Sequence, residues 1–257
     1  MLAETKKVLP SDVRRRAREG FGELGVATGR TRDLDVYVLG WDDLISTLEP
    51  EERAALAPLR DALEADRLGA HAAMAAVLTS DATRDLLGWW QDWLDDPDVV
   101  AEGRHRPIGP FVASRIHRAQ EVLLDQGRAI APDSPAEDLH DLRKDAKKLR
   151  YLLECFGSLL PAKGRKAFVN QLKALQDNLG TFQDLEVQIA ELRDLARTLH
   201  RRPDTDTETL LATGRLIDHL EQARHRARDE FVGRFDAYDT STNRATLADL
   251  LAEVEDA

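Results

Sequence analysis

The residues most able to do chemistry are the histidine, lysine and arginine side chains of residues 140–151. This segment holds one histidine and five Lys or Arg residues. At about 100° per residue of an α-helix, four of these side chains share one face, which we call the basic stripe: His140, Arg143, Lys147 and Arg150. The leucines of the same segment form an adjoining apolar arc of the width expected for a core-facing surface. The basic stripe therefore borders the predicted core.

An anion is the simplest explanation for this arrangement. An ordinary surface helix places its cations opposite the apolar face and alternates them with acidic residues at i+4 spacing, whereas the basic stripe is expected to have no acidic partner. Crowded like charges are unfavourable unless water or an anion compensates them. The sequence thus predicts an anion site on this helix. The alternative is a solvated basic face that happens to lie beside the core.

Composition predicts an all-α protein of one or two domains. The chain has 257 residues, of which 42% are apolar and 5% aromatic, and its abundant Ala, Leu, Arg and Glu favour helices. A formal charge of -11 argues against a general nucleic-acid coat but permits a local basic groove, and no specific nucleic-acid partner is expected. The single cysteine, Cys155, excludes an internal disulfide. No apolar run approaches the roughly 20 residues that span a bilayer, so without a signal peptide at Met1 we expect a cytoplasmic protein.

Apolar spacing and chain breakers divide the sequence into helices. The first is predicted over residues 11–31 with Ser11 as its N-cap, Gly29 as its C-cap, and Asp33 as the start of the next helix. Five further helices are predicted: residues 51–74, 110–130, the His140 segment, 166–179 and 210–238.

Two of these helices carry further basic residues on one face. Arg115 and Arg118 lie at i, i+3 in helix 110–130. In helix 210–238 a second histidine-containing stripe lies beside the predicted core: Arg215, His219, Gln222 and Arg226. Two separate helices therefore place a histidine and several cations at the edge of a core.

An internal repeat becomes visible when Gly29 is aligned with Gly180, an offset of 151 residues. Residues 33–36 then align with 184–187, and Arg-Arg at 14–15 aligns with Arg-Lys at 165–166. We interpret the repeat as two copies of one helical hairpin, because repeated helical units stack with pseudo-symmetry. The same offset places the counterpart of the His140 helix before Met1, so the first copy is expected to lack its opening helix.

These residues resemble the CHAD family, the conserved-histidine α-helical domains. The resemblance rests on Leu139-His140-x-x-Arg143-Lys144-x-x-Lys147-x-Leu149-Arg150-Tyr151, Leu172-x-x-Leu175-Gln176-x-x-Leu179-Gly180, Asp184-Leu185 and Gly29-x-x-Arg32-Asp33-Leu34-Asp35. It implies two antiparallel helical bundles related by pseudo-twofold symmetry, here residues 1–130, without the first helix, and 131–257. It further implies a basic groove between the bundles that binds inorganic polyphosphate.

The resemblance also implies which residues bind and which partners act. It assigns polyphosphate binding to His140, Arg143, Lys144, Lys147 and Arg150, and further to Arg32, Arg115, Arg118, Lys173, Arg215, His219 and Arg226. Several Lys and Arg side chains suit a linear polyanion, because Arg makes bidentate contacts and Lys supplies a point charge. The implied role lies in phosphate metabolism, with a CYTH-type (triphosphate-tunnel) domain as a partner and self-association covering the surface that the missing helix would expose. No enzymatic activity, metal or cofactor is expected.

Three alternative functions use some of the same residues. His140-Asp141 is the dipeptide of helical metal-dependent phosphohydrolases, although Asp141 points about 100° away from His140 on the helix. His140 could instead accept a phosphoryl group in a histidine phosphotransfer bundle. A plain protein-interaction bundle would use the tryptophans that fall in one helical turn: Trp89, Trp90 and Trp93. These readings predict a metal site, a phosphohistidine and a partner surface, respectively.

Overall fold

The computed structural model describes residues 9–99, 107–203 and 205–255, and all their regular secondary structure is helical. The predicted all-α fold is therefore confirmed. The α-helices in chain order are α1 (Ser11–Leu39), α2 (Trp41–Leu44), α3 (Pro50–Ala55), α4 (Ala57–Leu78), α5 (Asp81–Asp95), α6 (Ile108–Ala129), α7 (Ala136–Cys155), α8 (Ala162–His200), α9 (Thr207–Tyr238) and α10 (Ser241–Glu255). A single 3-10 turn, Gly157–Leu159, lies between α7 and α8.

The described residues form two compact units. Unit 1 contains residues 107–186 and 222–255, and unit 2 contains residues 9–99 and 187–221. Helices α8 and α9 each contribute to both units. The predicted halves, 1–130 and 131–257, are drawn from the sequence repeat, whereas the two units are defined by contacts in the structure. The division into halves and their pseudo-twofold relation therefore stay predictions.

Unit 1 is built around a core of leucine and aromatic side chains from α6, α7, α8, α9 and α10. The leucines predicted to form the apolar arc of α7 are all at most 1% exposed: Leu139, Leu142, Leu149, Leu152 and Leu153. Gly127 of α6 lies directly against Phe235 of α9, because an added Cβ would fall 1.9 Å from that ring. The buried arc fixes the rotation of α7 and so places the basic stripe at the edge of this core.

In unit 2, helix α1 packs against α4 and α5. Phe21 of α1 meets Trp90 of α5 edge to face with ring centroids 5.6 Å apart, and the guanidinium of Arg16 lies 4.1 Å from the centre of the Trp89 ring. Trp89, Trp90 and Trp93 are all half-buried. The Trp89 and Trp90 rings therefore contribute to the packing between α1 and α5.

The predicted end of the first helix at Gly29 is wrong. Helix α1 continues through Gly29 to Leu39 and stops at Gly40. A glycine C-cap usually adopts the left-handed backbone conformation, and no described residue, Gly29 included, has a positive φ. The buried side chains Thr31 and Leu34 continue the apolar face beyond Gly29, so packing favours a helix there.

The predicted end of the helix over residues 166–179 is also wrong, as α8 shows. It does not end at Leu179 but passes through Gly180 and continues to His200. The repeat therefore aligns two long helices, not two hairpins. Its offset of 151 residues also aligns their first residues, Ser11 and Ala162.

Candidate functional site

The basic stripe lies along α7 at the edge of the unit 1 core. All four of its members are half-buried: His140, Arg143, Lys147 and Arg150. Lys144 is exposed beside them. Half-burial keeps the side-chain stems against apolar neighbours while the charged ends stay accessible, as is usual for Lys and Arg at a core edge. The stripe is therefore ordered by packing and still available to a ligand.

Gln183 of α8 orients His140. Its Oε1 lies 2.5 Å from His140 Nδ1, so this imidazole nitrogen donates to the amide oxygen and leaves Nε2 to face other groups. Sequence reasoning missed Gln183, because a helical wheel of α7 does not show which α8 side chains it meets. The repeat carried a weak signal, since Gln183 aligns with Arg32, which the resemblance had selected.

Carboxylates accompany three of the cations, which contradicts the expectation that the stripe has no acidic partner. Arg143 Nη2 lies 3.8 Å from Asp184 Oδ1 of α8, and Arg150 Nε lies 3.5 Å from Glu154 Oε1. The neighbouring Lys144 donates to Asp141 at 2.8 Å. Glu154 and Asp141 were visible in the sequence at i+4 and i−3, whereas Asp184 comes from another helix. The arginine charges are thus partly compensated without a ligand.

The ion pair between Lys144 and Asp141 changes the pKa of both groups. The hydrogen bond from Lys144 holds the pKa of Asp141 below its ordinary value, and the same bond raises the pKa of Lys144. Both groups therefore stay charged throughout the neutral range. The Asp141 carboxylate is thus engaged by Lys144.

Among the cations predicted as ligands on α7 and α8, Lys147 and Lys173 are the two without an acidic partner in the described part of the chain. No carboxylate in the described part of the chain lies within 4.0 Å of Lys147 or of Lys173. Lys147 is half-buried on α7, and Lys173 is exposed on α8. An uncompensated lysine attracts an anion more strongly than one already held by a carboxylate. These two lysines are therefore the least compensated of the cations predicted as ligands on α7 and α8.

The predicted residues of α6 and α9 in unit 1 lie in other surroundings. The Arg115 guanidinium lies 5.2 Å from the centre of the Phe111 ring. Arg118 lines a cavity of about 640 Å³ between α6 and α10 together with His117 and Glu121. Arg226 lines a separate cavity of about 410 Å³ between α8 and α9. The assignment of these three arginines to polyphosphate binding stays a prediction.

The three predicted residues of unit 2 are Arg32, Arg215 and His219. Arg32 is exposed on α1. Arg215 forms an ion pair with Glu52, and His219 Nδ1 lies 2.9 Å from Thr47 Oγ1. Arg215 and His219 line a cavity of about 840 Å³ whose other ionisable residues are acidic: Glu51, Glu52, Glu208 and Asp218. This acidic lining is a poor environment for a polyanion.

The described residues contain neither a metal-binding cluster nor a membrane-spanning helix. Within the described ranges, no group of three or more His, Cys, Asp or Glu side chains is placed to hold a metal ion. No helix in those ranges is both long and apolar enough to cross a bilayer.

Comparisons with known proteins agree with this architecture. The family model for the CHAD domain matches residues 1–193. Among solved structures, "PptA from Streptomyces chartreusis" superposes with a TM-score of 0.69 at 16% sequence identity, covering 91% of this chain and 84% of that chain. A search of curated proteins gave no match. The family match includes the whole of α7 with its basic stripe and most of the long helix α8. The chain therefore belongs to the CHAD family, as its sequence motifs predicted.

Proposed function

We propose that this protein binds inorganic polyphosphate through the basic stripe of α7, with Lys144 beside it and Lys173 facing it from α8. The observation that carries the proposal is the half-buried stripe itself, which presents one histidine and three cations along a packed edge. Membership of the CHAD family and the polyphosphate binding implied by the sequence motifs support the same ligand. The protein acts as a binder and not as an enzyme.

A linear polyphosphate suits this edge because both carry charge at regular intervals. Each inner phosphate unit bears about one negative charge, and Arg143 and Arg150 can hold its oxygens through two N–H groups each. Lys147 contributes a point charge between them. His140 adds a hydrogen-bond donor whose strength depends on pH. A ligand that engages several of these side chains at once binds far more tightly than a single phosphate.

The phosphotransfer and phosphohydrolase alternatives receive less support from the geometry. A phosphohydrolase would use His140 with Asp141, but the Asp141 carboxylate accepts a hydrogen bond from Lys144. A phosphotransfer histidine needs an exposed imidazole, whereas His140 is half-buried and held by Gln183. The proposal includes a role in phosphate metabolism in the cytoplasm, a CYTH-type domain as a partner, and self-association, each as predicted from the sequence.

Reversal of two charges tests the proposed function. We expect Arg143→Glu with Lys147→Glu to weaken binding of a long polyphosphate by about 100-fold or more, because each lost charged contact is worth about 1.5–3 kcal/mol. Helical content should persist, since neither side chain belongs to the buried arc. Calorimetric titration and circular dichroism measure the two quantities.

The matched control is Lys163→Glu with Arg201→Glu, which makes the same change of charge at exposed positions that are not part of the basic stripe. This control should retain most of the affinity. Equal losses in the two double variants would mean that net charge, and not the basic stripe, governs binding. Unfolding of the Arg143 and Lys147 variant would mark those residues as structural.

A further inference from the structure

The feature that needs an explanation is the buried amide of Gln176 on α8. This residue is 7% exposed, yet neither its Nε2 nor its Oε1 has a hydrogen-bond partner. A buried amide that leaves all its hydrogen bonds unmade destabilises the folded protein. Such a group in a native structure points to a function or to a bound molecule.

Two contacts between α7 and α8 locate Gln176. His140 meets Gln183, and Arg143 meets Asp184. The two helices are joined by residues 156–161 and run antiparallel. Later residues of α7 therefore lie opposite earlier residues of α8, turn by turn. Gln183, Gly180 and Gln176 recur at i, i−3 and i−7 and share one face of α8. Gln176 therefore belongs to the face of α8 that follows α7, which we call the seam.

Other donors without acceptors lie along the same part of the seam. The next turns of α7 after Arg143 carry Lys147, which has no carboxylate within 4.0 Å among the described residues, and Arg150. Arg150 Nε is buried and makes no hydrogen bond, although Glu154 Oε1 lies 3.5 Å from it. Lys173 precedes Gln176 by three residues on α8 and likewise has no such carboxylate in the described part of the chain. Two lysines and one amide thus offer N–H groups that nothing accepts among the described residues, and Arg150 adds a cation that Glu154 accompanies.

Gly180 leaves room beside these donors. A Cβ added to Gly180 would meet no atom within 4 Å beyond its own helix. Any larger residue at this position would project into that space from the face that carries Gln176 and Gln183. The seam therefore combines orphan donors with open space beside Gly180.

The geometry points to a phosphate subsite in this part of the seam, formed by Lys147, Arg150, Lys173 and Gln176, with Gln176 as a binding residue that sets the position of one inner phosphate unit. The Gln176 amide N–H donates to a non-bridging oxygen while the three cations balance the charge. Its Oε1 can accept an N–H from Lys147 or Arg150. This inference rests on the proposed function and deepens it.

The two ends of the basic stripe differ in the carboxylates that accompany their cations. This difference makes the subsite the expected position of tightest binding. Near His140, a ligand must displace the carboxylates that accompany Arg143 and Lys144. Within the subsite Glu154 accompanies Arg150, but Lys147, Lys173 and Gln176 have no carboxylate to displace among the described residues. A short polyphosphate is therefore expected to bind here first, and longer chains to extend from here toward His140.

Replacement of Gln176 by leucine tests the subsite with tripolyphosphate as the probe. We expect Gln176→Leu to weaken tripolyphosphate binding about tenfold, which corresponds to about 1.4 kcal/mol. The unfolding free energy of the ligand-free variant should stay equal or rise, because an unsatisfied amide is replaced by an apolar side chain of similar size. Affinity and stability then move in opposite directions, which a merely structural glutamine would not produce.

Two further variants complete the experiment. Gln120→Leu is the matched control, because Gln120 is a buried glutamine of unit 1 on α6 whose Nε2 also lacks a partner; it should bind tripolyphosphate within twofold of the wild type. Gly180→Leu should block the opening and weaken binding about tenfold or more, while helix propensity favours leucine over glycine. This second route keeps the test decisive if Gln176→Leu fails to fold.

The outcomes separate the subsite from the proposed function. Wild-type affinity in both Gln176→Leu and Gly180→Leu would overturn the subsite and leave polyphosphate binding intact. An equal loss in Gln120→Leu would also overturn it, since the effect would not be local. If the wild-type chain binds neither tripolyphosphate nor a longer chain, the proposed function itself fails.

Discussion

Asp239 shows how one residue ties several helices of unit 1 together. It directly follows α9, and its carboxylate accepts two hydrogen bonds from Arg128 of α6 at 2.8 and 3.1 Å. Arg244 of α10 donates to the same carboxylate. The hydrogen bond from Arg128, followed by the charges of both arginines, lowers the pKa of Asp239. A carboxylate with two arginine partners is more stabilising as an anion than as an acid.

The sign of this pKa shift predicts a pH dependence. A depressed folded pKa means that Asp239 stabilises the fold above its unfolded value of about 3.9 and loses that contribution as pH falls through the folded value. We expect Asp239→Asn to lower the unfolding free energy at pH 7, and the difference from wild type to shrink as pH falls below about 4. Urea unfolding at pH 7 and pH 3 measures both.

Asp236→Asn is the control for this experiment, because Asp236 is exposed on the same helix. It should change the unfolding free energy little at either pH. A gap between Asp239→Asn and wild type that is as large at pH 3 as at pH 7 would show that Asp239 acts through packing and not through its charge.

At the level of single residues, sequence reasoning found the cations of α7 and missed their neighbours. The basic stripe and the leucine arc follow from one helical period, so a wheel of α7 shows both. Gln183, Asp184 and Gln176 were beyond reach, because their roles depend on which face of α8 meets α7. Packing between the helices determines which face of α8 meets α7, and no local sequence pattern in either helix predicts it.

At the level of elements, the long helices α1 and α8 are the clearest departure from sequence-based expectation. Gly29 and Gly180 both suggested helix ends, yet each lies inside a continuous helix. Glycine lowers helix propensity by about 1 kcal/mol relative to alanine, which tertiary packing of the flanking leucines can offset. A glycine usually ends a helix in the left-handed conformation, yet α1 stops at Gly40 with a φ of -86°, so the residue type alone does not mark the end of a helix.

Substitution of Gly29 by alanine tests this interpretation. Within a continuous helix, and with no atom within 4 Å of the added Cβ, Gly29→Ala should raise the unfolding free energy by about 0.5–1 kcal/mol. At a left-handed C-cap the same change would be destabilising. Thermal or urea unfolding of the full chain distinguishes the two signs.

Gly127→Ala provides the opposite case. Its added Cβ would lie 1.9 Å from the Phe235 ring, so α6 and α9 would have to move apart, and overpacking of this kind costs about 1–3 kcal/mol. Stabilisation by Gly127→Ala, or destabilisation by Gly29→Ala, would contradict the packing described here.

At the level of the whole molecule, a basic site operates on an acidic protein. The formal charge of -11 repels a polyanion at long range, whereas the basic stripe attracts it only at short range. Salt shortens the range of exposed charges, with a Debye length of about 10 Å at 0.1 M and about 3 Å at 1 M. Binding should therefore depend on several short-range contacts made together.

This balance predicts the dependence of affinity on chain length and salt. A long polyphosphate should bind much more tightly than orthophosphate, because it engages several side chains in one molecule. Its affinity should fall by about tenfold or more between 0.1 and 1 M NaCl. Calorimetry with both ligands at both salt concentrations tests this, and equal affinity for orthophosphate and the long chain would refute a multi-contact site.

The placement of tryptophan gives the molecule a built-in optical label. All four tryptophans of the chain, Trp41, Trp89, Trp90 and Trp93, belong to unit 2, whereas the single thiol, Cys155, is exposed at the last residue of α7 in unit 1. Intrinsic fluorescence therefore follows unit 2, and a dye attached to Cys155 follows the helix that carries the basic stripe. Tryptophan emission and dye emission can thus report conformational changes in the two units separately, without any substitution in the natural sequence.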